Sequence, residues 1–152
     1  MQDVAPGRFT VGVFQDVAWA QKGIDALKKA GLPPEALSVM AKEGPDAAKL
    51  IEQVFGVAGD RLETAATGPI LARGPLVAAL KGPSDDFARL GIAGTMRRVG
   101  FQAHDGRIFE VLTARGGVLV GIHSEPRAAD SLAILHSYGG GNAAIGAWTG
   151  RV

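Results

Sequence analysis

The stretch that decides the fold is Phe9-Thr10-Val11-Gly12-Val13-Phe14-Gln15-Asp16, an apolar, β-prone run of strand length that ends in a turn signal. Asp16 predicts the N-cap of a helix, because its carboxylate can accept from the free amides of a first helical turn. Gly31 predicts the left-handed end of that helix, and residues 37–41 form a second strand-like run. Between the caps, apolar residues recur at helical spacing at Val17, Ala20, Ile24 and Leu27. Residues 9–42 therefore predict a β-α-β unit.

The same order returns near the C-terminus, in the segment 116–148. Residues 118–123 predict a strand, Ser124 predicts the N-cap of a helix that ends at Gly139, and residues 143–148 predict a final strand. The apolar helix positions repeat at an offset of 108 residues, with Ala128, Leu132 and Leu135 matching Ala20, Ile24 and Leu27. These matches indicate two related β-α-β halves.

Two β-α-β halves in one chain predict an α+β fold, the ferredoxin-like split β-α-β sandwich with four strands and helices on one face. Between the halves lies a Gly/Pro-rich insert, residues 43–115. Helical patterns occur in this insert at 46–56, 76–80, 87–92 and 107–115. We expect a single domain over residues 1–152 in which the helical insert packs against the paired halves.

Composition excludes several classes of protein. The chain has no cysteine, which removes disulfide scaffolds, thiolate metal sites and cysteine nucleophiles. A net charge of +1 argues against a domain that neutralises nucleic-acid phosphates, so we expect no nucleic-acid partner. The 22 glycines and 8 prolines lie mainly at the ends of the halves and in the insert, where they indicate turns and helix ends. Four Gly-Pro pairs, with glycines at 44, 68, 74 and 82, divide the insert into short segments and permit close backbone approach.

The sequence shows no recognisable secretory signal or membrane span. Residues 1–8 lack the basic segment and apolar run of a secretory signal, so we expect a cytoplasmic protein. The apolar stretch at 64–80 is interrupted by prolines and is too short for a membrane span, which needs about 20 apolar residues. We therefore expect no stable span and keep peripheral membrane contact through 64–80 as an alternative.

Several blocks resemble the small bacterial general-stress-protein family, whose members are often labelled heat-induced stress proteins. The centre, Ala66-Thr67-Gly68-Pro69-Ile70-Leu71-Ala72-Arg73-Gly74-Pro75-Leu76, is similar to that family's glycine-rich centre, and residues 115–123 resemble its second characteristic block. The opening is similar at 9–14, 27–32 and 37–39. The stretch 101–107 departs from the more acidic sequence expected there. The resemblance covers nearly the whole chain and implies a bacterial stress response, with no catalytic set to carry across.

Candidate site residues are few. The histidines His104, His123 and His136 are the obvious metal ligands, but no two of them have chelate spacing, so we predict no metal and no cofactor. No serine lies in a nucleophile motif, so we predict no catalytic residue. Arg73, His123 and His136 are the candidate ligand-binding residues, for a pocket between the sheet and the insert.

These patterns favour a non-enzymatic function. We expect a stress-associated interaction module that forms a homo-oligomer through an edge or a face of its sheet, because edge strands need cover. The alternative hypothesis is a small-molecule or metal-binding protein with a pocket between the sheet and the insert.

Overall fold

A computed structural model describes residues 7–81, 87–123, 128–138 and 141–148, and in 7–8, 128–129 and 141–148 it describes the backbone alone. These ranges contain six strands and six α-helices, and a short 3₁₀ turn at Pro34–Ala36. In chain order they are β1 (Gly7–Phe14), α1 (Val17–Lys29), β2 (Leu37–Lys42), α2 (Pro45–Phe55), β3 (Asp60–Thr64), β4 (Gly68–Arg73), α3 (Pro75–Lys81), α4 (Phe87–Arg98), α5 (Ala103–Ala114), β5 (Val118–His123), α6 (Ala128–Ser137) and β6 (Gly141–Trp148). The α+β class predicted from the sequence is confirmed.

The predicted ends of α1 are confirmed in atomic detail. The Asp16 carboxylate accepts a hydrogen bond from the Trp19 amide at 2.9 Å, which satisfies one of the free donors of the first turn. Gly31 has a φ of 97°, in the left-handed region that lets the chain leave the helix. The Ser124 cap and the Gly139 helix end predicted for the second half lie outside the described residues.

The six strands form one sheet in the order β3-β4-β2-β5-β1-β6, and every neighbouring pair is antiparallel. The first strands of the two β-α-β halves, β1 and β5, are adjacent at the centre. The second strands, β2 and β6, lie outside them, so the halves interleave. The sheet is larger than the four strands that we predicted, because β3 and β4 extend it beyond β2.

Helices cover both faces of the sheet, where the sequence predicted only one. Side chains alternate along β5: Val118, Val120 and Ile122 join the core formed with α1, α2 and α6. Leu119 points the other way and joins the core formed with α3, α4 and α5. Both faces of a central strand are therefore buried, and its sequence is apolar without alternation for that reason.

The insert is only partly helical, because it contains the β3–β4 hairpin. Thr64 pairs with Gly68 across a tight connection, in which Gly68 has a left-handed φ of 72°. The Thr64 and Thr67 hydroxyls are hydrogen-bonded at 2.8 Å, and the Thr67 amide donates to the Thr64 hydroxyl. Sequence patterning missed this hairpin because β3 is mostly charged and exposed, while the Gly-Pro pair at 68 suggested a break between helices.

The helix α4 contains a sharp break at Gly91, whose φ is 72°. The Glu110 carboxylate of α5 accepts from the Ala93 amide at 3.1 Å and so caps the helical segment that follows the break. A β-carbon at Gly91 would lie 2.6 Å from that carboxylate oxygen. The φ of Gly91 favours glycine here, and a β-carbon would also displace the capping carboxylate.

The apolar stretch 64–80 contributes to the protein core. Ile70, Ala72, Leu76 and Leu80 are fully buried, so these side chains are not available to a lipid surface in this structure. Within the described part of the chain, none of the helices combines the length and the apolar composition that crossing a bilayer requires.

Candidate functional site

A groove opens at the end of the sheet where β4 and β5 finish and β2 and β3 begin. Its volume is about 760 Å³, within the range typical of small-molecule sites. It is bounded by the 3₁₀ turn, the end of α2, the start of β3 and one face of α3. We call it the α3 groove. The inserted segment and the β-α-β halves both contribute to its walls.

One face of α3 forms a wall of the α3 groove. Val77, Ala78 and Lys81 line it, and their spacing of three and four residues places them on one side of the helix. Ser38 holds the start of this helix, since its hydroxyl accepts from the Leu76 amide at 2.9 Å. The wall is therefore anchored directly to the central strand β2.

Gly74 makes the approach of α3 to β2 possible. Its φ is 122°, and a β-carbon there would lie 2.5 Å from the Ser38 Cα and closer still to the Leu37 carbonyl oxygen. No other residue type fits this position without displacing the backbone. The Gly-Pro pair at 74 thus permits the close backbone approach that its sequence suggested.

Two of the three predicted ligand-binding residues, Arg73 and His123, line the α3 groove. Arg73 pairs with Val39, whose side chain belongs to the core beneath α2, so Arg73 leaves the sheet on the α2 side. His123 follows Ile122, and its side chain leaves the sheet on the α3 side. There its ring stacks on the Phe9 ring, with the ring centroids 4.3 Å apart and the ring planes inclined by 16°. The two side chains therefore approach the groove from opposite faces of the sheet.

His136 lies at the other end of the sheet. Phe9 of β1 pairs with His123, whereas Val13 of the same strand pairs with Gly141, four positions after the end of α6. Four residues of β-strand span about 13 Å. The structure thus separates His136 from the groove, and its exposed position in the last turn of α6 suits a cation that complements the helix dipole.

No group of three or more histidine, aspartate or glutamate side chains is arranged to hold a metal ion among the residues that the structure describes. His104, the remaining histidine considered above, is exposed at the start of α5 and does not line the α3 groove.

Lys81, Glu35 and Asp60 are groove residues that sequence reasoning missed. Lys81 ends a short helix, where lysine is common for its interaction with the helix dipole. Asp60 begins the missed strand β3. The pairing of Asp60 with Ala72 brings Asp60 close to Arg73 in the sheet, and the packing of α3 across the sheet end brings Lys81 to the same cavity.

The charges of the groove differ in exposure. Arg73, Lys81 and His123 are partly buried, whereas Glu35 and Asp60 are exposed at its rim. The Arg73 guanidinium donates to the Ala58 carbonyl at 3.4 Å, which is a long hydrogen bond. Neither Arg73 nor Lys81 forms an ion pair with any described side chain.

Comparisons with known proteins add no relative: no family model, curated protein or solved structure matches the chain.

Proposed function

We propose that this chain is a binding protein for a small organic molecule held in the α3 groove. The observation that carries the proposal is that Arg73, Lys81 and His123 all line one open cavity of ligand size. Binding sites of this kind combine a mostly apolar lining with a few polar groups that fix orientation.

The apolar part of the lining supports the proposal further. Phe55 and Val57 line the groove together with Val77 of α3, and Val57 is 46% exposed, the largest exposed fraction among the large apolar side chains that the structure describes. Exposed apolar groups beside a cavity offer surface that a ligand would remove from water.

Fluorescence titration with N-phenyl-1-naphthylamine, a neutral aromatic probe, tests binding in the groove. Ala78 lines the groove and is exposed on α3, whereas Ala88 is exposed on α4 and lies outside the lining. We expect saturable binding that Ala78→Trp reduces at least tenfold and Ala88→Trp leaves unchanged. Absence of saturable binding, or equal binding by the two variants, would refute the proposal.

Self-association is the second candidate function, and the free edge of the sheet favours it. Both sheet faces are covered by helices, which leaves the edges. The edge β3 carries the charged residues Asp60, Arg61 and Glu63, which discourage strand pairing. The other edge, β6, has the uncharged sequence GNAAIGAW and pairs only with β1 among the described strands. Pairing of β6 with its counterpart in a second copy would form a continuous sheet.

Light scattering coupled to size exclusion tests this second candidate. We expect a dimer whose dissociation is promoted by Ala144→Pro, because proline removes a backbone donor from the strand. An Ala144→Val variant controls for the change of side chain. A strict monomer at high protein concentration would remove the oligomer from consideration.

The interleaved order β2-β5-β1-β6 supports a ferredoxin-like core to which β3 and β4 have been added, and we include this in the proposal. The stress-associated role rests on the resemblance of the central and terminal blocks to the general-stress-protein family. Comparison of a deletion strain with its parent after heat shock tests that role, and equal survival would count against it.

A further inference from the structure

We infer that the ligand of the α3 groove is an amphipathic organic anion, with an acidic group at Arg73 and Lys81 and an apolar body along the wall of Phe55, Val57 and Val77. This inference rests on the proposed function, since it specifies the chemistry of the molecule bound at the same site.

The two cations supply the argument for an anion. Arg73 and Lys81 are partly buried, and neither has a carboxylate partner among the described side chains. Partial burial removes part of the water from a charged group, and an opposite charge or hydrogen-bond acceptor can replace the contacts that are lost. The single long bond from Arg73 to the Ala58 carbonyl leaves most of its five donors unused. A carboxylate, sulfonate or phosphate suits this fork of donors.

The acids of the groove do not reverse this preference. Glu35 and Asp60 are exposed at the rim, where water and salt screen their charge. The cations are partly buried, so their charge is screened less and an electrostatic contact with them is stronger. The interior of the groove therefore favours negative charge even though the lining as a whole is nearly neutral.

The apolar wall supplies the argument for an apolar body. Phe55, Val57 and Val77 lie in the same cavity as the cations. A free inorganic anion would use only the cations and leave this wall exposed to water. A ligand that contacts both is favoured by charge and by apolar burial together.

A matched pair of probes tests the inference. 8-Anilinonaphthalene-1-sulfonate carries the ring system of N-phenyl-1-naphthylamine with a sulfonate added, so the difference in affinity reports the anion. We expect the sulfonate probe to bind the wild-type chain at least tenfold more tightly than the neutral probe. Arg73→Gln and Lys81→Gln should each weaken the sulfonate probe about tenfold and change the affinity of the neutral probe by a clearly smaller factor.

Lys49→Gln is the control, because Lys49 is an exposed cation of α2 outside the lining. It should change neither affinity. If the neutral probe binds in the groove but the sulfonate gives no advantage, or if Lys49→Gln weakens the sulfonate probe as much as Arg73→Gln does, the inference is overturned while the proposed function stands. If neither probe binds, the proposed function fails with it.

Discussion

Replacing Gly74 by alanine should destabilise the protein far more than replacing Gly44, although both glycines precede a proline at the start of a helix. Gly44 has an extended φ of 174°, and a β-carbon there would meet no atom within 4 Å. Gly74 has a φ of 122°, and its β-carbon would collide with the backbone of Leu37 and Ser38. Backbone atoms of a central strand cannot rotate away as the end of a flexible side chain can.

The magnitude follows from two costs. Forcing an L-residue to positive φ costs about 1–2 kcal/mol, and overpacking a rigid site costs about 1–3 kcal/mol. We expect Gly74→Ala to lower the free energy of unfolding by about 3 kcal/mol, which corresponds to a fall in Tm of about 6–12 °C for a chain of this size. Gly44→Ala should cost about 0.5–1 kcal/mol, because alanine is a poorer N-cap than glycine.

Urea denaturation followed by far-UV circular dichroism measures both variants against the wild type. The slope of the transition should stay constant, so that the shift in midpoint reports stability alone. A Gly74→Ala variant within about 0.5 kcal/mol of Gly44→Ala, below the smallest strain cost considered, would refute the reasoning. Such a result would show that α3 can move away from β2 without a loss of stability.

Two further predictions concern a glycine inside helix α1 and the carboxylate that caps the second segment of helix α4. Gly23→Ala in α1 should lower the free energy of unfolding by about 1 kcal/mol in urea denaturation. The new β-carbon would lie 2.8 Å from Cε1 of the buried Phe14 ring and closer still to Cζ, and this overpacking outweighs a helix-propensity gain of about 1 kcal/mol. In a Phe14→Leu background the same change should stabilise the protein, and a stabilising effect in the wild type would contradict the prediction. Glu110→Ala should lower the free energy of unfolding by about 1 kcal/mol through loss of the cap on the Ala93 amide, whereas the exposed Glu63→Ala should change it by less than about 0.5 kcal/mol; equal effects of the two would argue against the cap.

The two β-α-β halves were predictable because their signals are local. Alternating apolar strands, a capping aspartate and a left-handed glycine act over a few residues, and Asp16 and Gly31 perform these roles in the structure. The β3–β4 hairpin was not predictable in the same way. Its outer strand is mostly charged and exposed, so it lacks the apolar pattern by which a strand is recognised.

The candidate site was predictable only in part. Arg73 and His123 were selected from sequence and line the same groove, but so does Lys81, which carries no local signal of such a role. His136 shares a residue type with His123, yet strand pairing places it at the opposite end of the sheet. Residue type identifies which groups can bind, whereas the sheet register decides which of them meet.

The sequence by itself determined the α+β class, the two β-α-β halves and the glycine and proline positions at which segments end, because these depend on interactions between near neighbours in the chain. Only the tertiary structure decided the strand order, the covering of both sheet faces and the α3 groove, because each depends on contacts between segments far apart in sequence. The Gly-Pro pairs at 44 and 74 illustrate the division. Their sequences are alike, and only the strand packed against Gly74 makes one of them irreplaceable.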